Sequence, residues 1–146
     1  MGAGGWKERA SVFAAALWWG SLTTIGFVVV PMLFAHLGIP AVAGQMAAKL
    51  FSAQAGIAVG CAVVLLLASR SGEEGQRMDW AGGALVFVLA GVLLALLVEF
   101  AVAPRIVARE NLRWWHSAGS VMVLLQWLCA GAALWKVTAP RSGGPS

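Results

Sequence analysis

The sequence predicts an all-α integral membrane protein, a four-helix up-down bundle. Four apolar segments, Ser11–His36, Phe51–Ser69, Trp80–Ala103 and Trp114–Lys136, take up nearly the whole 146-residue chain. Hydrophobic residues make up 60% and charged residues 11%, far from a soluble balance. The charges collect at segment ends. A hydrocarbon core of about 30 Å needs about 20 apolar residues as helix, and each segment has close to that length. A β-barrel would need alternating polar and apolar positions, and Ala62–Ala68 and Leu85–Val98 do not alternate. Residues 1–10 are expected as an N-terminal tail, 11–137 as the four-helix transmembrane domain and 138–146 as a disordered C-terminal tail.

The first segment carries Trp18 and Trp19, then Pro31, where the missing N–H predicts a kink. Gly38-Ile39-Pro40 ends it, and Ala41–Leu50 reads as a short amphipathic turn or interfacial helix. The second segment contains Gly56 and Gly60, a GxxxG extended backward by Ser52, which is expected to pack against another helix. Ser71–Asp79 is a polar loop. Trp80 opens the third segment at an interface, Gly82, Gly83 and Gly91 thin it, and Pro104 marks its exit. Trp114 and Trp115 open the fourth, and Trp135 with Lys136 close it. No internal repeat is evident.

The net charge of +4 would suggest nucleic acid in a soluble protein. Here the cations flank membrane spans, so nucleic-acid binding is excluded and the lipid bilayer is the expected partner. A homo-oligomer or a membrane-complex partner is a further expectation. Lys7, Arg9, Arg70, Arg77, Lys136 and Arg141 lie on the terminal side, against Lys49, Arg105, Arg109 and Arg113 opposite. The positive-inside rule then favours a multi-pass membrane protein with both termini cytoplasmic. The first segment is too long for a signal-peptide core and reads as a retained span. Cys61 and Cys129 lie inside spans, outside any CxxC, and read as small packing residues.

Up-down topology gathers the polar candidates at one membrane face. His36 ends the first segment, Gln54 lies early in the second, Glu99 late in the third and His116 opens the fourth, with Arg105 in the adjoining loop. Glu99 is the acidic residue inside an apolar segment, and such placements are costly, so they mark ion sites or buried pairs. It is expected to pair with a histidine or Arg105. His36 and His116, with Met32 one turn before His36, could ligate haem iron or copper. Against this, no HxxxH or CxxC spacing occurs. Ser117 and Ser120 lack the carboxylate and the GxSxG elbow that nucleophilic catalysis needs. The glycines near the N-terminus form no phosphate loop.

Trp18-Trp19-Gly20-Ser21 and Val30–Leu37 resemble the first-helix signature of a family of small bacterial membrane proteins. Leu50-Phe51, Ala103-Pro104-Arg105-Ile106 and Trp115-His116-Ser117 fit the same resemblance, which spans Leu17 to Trp127. That family carries a domain of unknown function similar to eukaryotic transmembrane protein 205. The resemblance implies a four-helix membrane domain without an assigned activity. The eukaryotic relatives are linked to resistance to platinum drugs, which implies transport or trafficking. The fold is also distantly similar to four-helix proteins of copper resistance and haem synthesis, although this chain lacks their denser His or Met pattern. The leading reading is a non-enzymatic membrane protein that handles a small solute or metal, or assists assembly. The rivals are a haem-binding membrane oxidoreductase using His36 and His116, and a structural subunit of a membrane complex.

Overall fold

The computed structural model describes residues 3–69 and 77–139, with side chains described over 5–69 and 83–139. The order is α1 (Ala3–Thr24), a π-turn (Ile25–Val29), α2 (Val30–His36), α3 (Pro40–Ser69), α4 (Arg77–Leu97), a second π-turn (Val98–Val102), α5 (Ala103–Val107) and α6 (Leu112–Thr138). The π-turns join α1 to α2 and α4 to α5 without a break, so the chain forms four rods. Each is long and apolar enough to cross a membrane: Gly5–His36, Pro40–Ser69, Gly83–Val107 and Leu112–Thr138. In lipid a helix satisfies every backbone group within itself, which is why such runs fold this way.

Several boundaries differ from the sequence expectation. Ala41–Leu50 is no separate turn; it continues into α3 from Pro40. Proline at a helix start loses nothing by lacking an N–H, because that donor would have no partner there anyway. Pro104 does not end its rod either, which runs on to Val107. The first rod begins at Ala3, inside the stretch expected as a tail. Of the polar loop, residues 70–76 lie outside the described residues, while Arg77 already belongs to α4. The tail beyond residue 139 also lies outside them.

The kink expected at Pro31 takes a particular form, and it occurs twice. Pro31 and Pro104 each follow a five-residue π-turn, closed by Val30 N–H to Ile25 O and by Ala103 N–H to Val98 O. A proline ring collides with the carbonyl four residues earlier, here Phe27 and Phe100, and the wider π-turn relieves that collision. A constant offset of 73 residues separates Ile25 from Val98, Val29 from Val102 and Pro31 from Pro104. A short turn and one long helix then follow in each case, α3 and α6. The molecule is therefore one hairpin built twice, a repeat that the letters alone do not show.

The packing obeys the same repetition. α1 packs on α3 and α6, and α4 packs on α3 and α6, so the rods form a square with α1 diagonal to α4. A half-turn about the bundle axis exchanges the two hairpins. The core is made of small residues closed around one large one. Trp18 is fully buried and lies against Gly91, where an added Cβ would come within 2.7 Å of its ring. Trp19 lies against Gly131, and its ring stacks on Trp127 at 5.7 Å. Trp127 Nε1–H donates to Thr23 Oγ1 at 2.9 Å, while Thr23 donates to Trp19 O.

Among the described residues, the expected packing stripe of Ser52, Gly56 and Gly60 meets no other helix. All three are exposed, and a Cβ on either glycine would touch nothing within 4 Å. The face that α3 buries carries Gln54, Ala55, Ala58, Cys61 and Ala62. A primary amide is costly to present to lipid, so Gln54 turns inward. Two residues along a helix is about 200° of rotation, so Gly56 is carried outward.

Candidate functional site

A cavity of about 340 Å³ opens inside the half of the bundle opposite the termini. All four rods line it, and both π-turns contribute, through Gly26 and Phe27 on one and Val98 and Val102 on the other. The widened turns and the small residues Gly44, Ala47, Ala48 and Gly119 leave space that larger side chains would fill. Beyond Thr23 the first rod is tied to α6 chiefly through ring contacts. Phe27 meets Trp127 edge-on at 5.5 Å, and Phe34 meets His116 edge-on at 6.3 Å. Phe27, Leu124 and Ser120 are wall residues with exposed surface, which puts the mouth on the lipid side between the first rod and α6.

The wall is apolar except at its rim. His116 is exposed and lines the cavity, and Ser120 Oγ donates to His116 O at 2.9 Å. No charged side chain lines the wall. Each of its four α3 residues has an α6 counterpart in the wall at an offset of 72: Gly44 with His116, Ala47 with Gly119, Ala48 with Ser120, Phe51 with Val123; α6 adds Leu124 and Trp127.

The five polar residues singled out in the sequence do not form one cluster. His116 alone lines the cavity. His36 is exposed, and its Nδ1 donates to Met32 O at 3.0 Å along its own helix. Because Phe34 is the residue that meets His116, His36 stands about 200° around the helix from that contact. Met32 is 55% exposed and its carbonyl is engaged by His36. Among the described residues no group of three or more His, Cys, Asp or Glu side chains converges. Arg105 stacks on Trp115, 4.4 Å from the ring centroid, and its Nη1 donates to Ala101 O. That engagement replaces the expected pairing with Glu99. Glu99 is half-buried on the second π-turn.

Gln54 is the candidate that lies deepest, at 1% exposure, and it has a companion that sequence reasoning missed. Gln126 in α6 is 3% exposed. Neither Gln54 Oε1, nor Gln54 Nε2, nor Gln126 Nε2 reaches a hydrogen-bond partner within the protein. The available signal was an amide within the apolar stretch of α6, at the same place in its helix as Gln54.

Fold and cavity together define an all-helical, four-span membrane protein with a lipid-facing internal cavity. Residues 13–114 match the family model described as Domain of unknown function (DUF4149). That covers most of the chain, and the protein belongs to this family. No curated protein and no solved structure matches the chain.

Proposed function

We propose that the protein binds a small, largely apolar molecule that enters sideways from the bilayer, and so belongs to the small-solute-handling class. The observation that carries this reading is the cavity: about 340 Å³, apolar, and open between the first rod and α6. That volume is at the lower end of small-molecule sites, which run from roughly 300 to 1,000 Å³. The His116 imidazole and Ser120 hydroxyl at the rim can hold one polar group of the solute. The six-to-four cation count supports termini on the cytoplasmic side of an inner membrane, so the cavity serves the outer half of the bilayer.

The test is to purify the protein in lipid nanodiscs, extract bound molecules and identify them by mass spectrometry. Ala48→Phe places a ring on the cavity wall and is expected to remove the bound molecule from an otherwise folded protein. Equal recovery from wild type and Ala48→Phe would overturn the reading. A Soret band in the same preparation, abolished by His36→Ala and His116→Ala, would replace it with the haem-binding alternative.

A further inference from the structure

The polar side chains of the cavity wall lie towards one end of it. Along α6 the wall includes His116, Ser120, Leu124 and Trp127, spaced by four, four and three. That spacing holds them on one helix face, so they form a single row. Polarity falls along the row from imidazole to hydroxyl to aliphatic chain. At its far end Trp127 Nε1 is already engaged by Thr23. His116 is the fifth residue of α6, which begins at Leu112, so the polar end lies beside the membrane face opposite the termini. Trp127 lies about 16 Å further along the helix, at about 1.5 Å per residue. The first rod lines the cavity from Leu22 to Val30 and the third from Val98 to Ile106, about 12 Å of helix each. A volume of about 340 Å³ over such a length has a mean section of about 25 Å², room for one hydrocarbon chain and not for two abreast.

The two polar groups are within reach of one ligand atom. His116 and Ser120 both line the cavity and stand one turn apart, which sets their Cβ atoms about 5–6 Å from each other. Ser120 Oγ turns back along the helix to donate to His116 O at 2.9 Å. That bond uses the hydroxyl proton, so towards the cavity Ser120 Oγ only accepts. The His116 ring meets Phe34 edge-on, and among the described residues no hydrogen bond engages either ring nitrogen. A neutral imidazole offers one donor and one acceptor. Within lipid a polar group without a partner is costly, so this end of the wall matches a ligand group that both donates and accepts.

We infer that the cavity takes a single-chain amphiphile with a hydroxyl head, a long-chain alcohol, with its chain inward and its oxygen between His116 and Ser120. This rests on the cavity reading above and names the ligand class for it. The ligand hydroxyl donates to Ser120 Oγ and accepts from the imidazole N–H. An ether or a carbonyl accepts only, and would set a second acceptor against Ser120 Oγ. A carboxylate has no proton to give either, and no charged side chain lines the wall to meet it. The mouth between the first rod and α6 lets the chain slide in from the lipid while the head stays near the membrane face.

The test compares three probes of equal heavy-atom count, undecanol, methyl decyl ether and dodecane, by calorimetry in nanodiscs. Each apparent association constant is divided by the probe's partition into empty nanodiscs, so that the protein's own preference remains. Wild type is expected to bind the alcohol about tenfold more tightly than the ether, the scale of one net hydrogen bond. Ser120→Ala should bring that ratio near unity, because the accepting oxygen is gone. Ser120→Thr keeps a hydroxyl and should keep the ratio. His116→Phe keeps a ring against Phe34 and should lower both oxygen-bearing probes towards dodecane. A tenfold ratio that survives both Ser120→Ala and His116→Phe overturns the inference and leaves the cavity reading intact. A ratio near unity in wild type, with all three probes bound, does the same. Decanoate, a probe of the same size, overturns the uncharged head if it binds more tightly than undecanol. Loss of all three probes in Ala48→Phe supports the cavity; retention of all three removes the cavity and the inference together.

Discussion

The two hairpins share a plan and differ where they meet. At an offset of 73, Trp18 in the first corresponds to Gly91 in the second, and these two residues touch across the axis. A ring at both places would collide, and glycine at both would leave a void. Two copies of one hairpin can close on each other only when the axis positions diverge into a large and a small partner. The seams diverge as well. The α1–α6 seam is aromatic and hydrogen-bonded, through Trp19, Thr23, Phe27 and Trp127. α3, which packs on both α1 and α4, buries small residues such as Ala55, Ala58 and Ala62. Repetition thus sets where the rods go, and divergence sets which seam carries directional contacts.

The sharpest test of this comparison is an exchange at the axis. Trp18→Gly should cost about 3–5 kcal/mol of stability in detergent, as buried aromatic truncations do. Gly91→Trp should be at least as damaging, because the new ring meets the old one. The double variant moves the ring to the other hairpin, and unfolding by denaturant titration should show it recovering more than half of the summed loss. Simple additivity would break the equivalence of the two positions.

The turns give the next effect. Gly38 has φ +63° in the first hairpin, and Arg109 has φ +57° in the second, each two residues beyond the end of its helix. Side chains disfavour this left-handed region by about 1–2 kcal/mol. Gly38→Ala should therefore destabilise, and Arg109→Gly should stabilise by a similar amount. Melting temperatures moving in opposite directions would confirm that a left-handed residue closes both hairpins, although the second turn is one residue longer and holds another such residue, Asn111 at φ +36°.

A smaller effect is expected at the polar seam. Thr23→Val removes the acceptor of Trp127 Nε1, and interhelical hydrogen bonds in membranes average about 0.6 kcal/mol. A double-mutant cycle with Trp127→Phe should return a coupling of that order. Coupling near zero would make the seam a matter of ring packing alone. The least effect belongs to Gly60→Leu, which should stay within about 0.5 kcal/mol of wild type because its side chain enters lipid. A large loss there would show that a second molecule covers this face.

Much of this was readable in the letters. The apolar runs give four spans because lipid leaves a chain no other open-ended solution, and Pro31 announces a distortion because its ring has nowhere to go. Other features were hidden for physical reasons. In α3 two small-residue faces compete, and the GxxxG letters mark the wrong one. The deciding residue is Gln54, whose amide drives its own face inward. The repeat escapes notice because Phe27, Pro31 and Ala35 recur as Phe100, Pro104 and Ala108 among positions that otherwise differ. Topology does bring His36, Glu99 and His116 towards one membrane face. It cannot fix their rotation about each rod, and rotation is what separates His36 from His116.

The Thr23–Trp127 bond spans 104 residues of sequence. Ribosomes extend a chain by about 5–20 residues per second, so roughly 5–20 s elapse between the synthesis of its two ends. For that interval the first rod has no partner for Thr23, no glycine bed for Trp19 and no stack for its indole. The nascent first hairpin must be held in the membrane, or beside the machinery that inserts it, with its best contacts still unmade. Biosynthesis of this protein is therefore decided by its last rod, and a chain released before α6 emerges leaves its tryptophan face open to any neighbour in the bilayer.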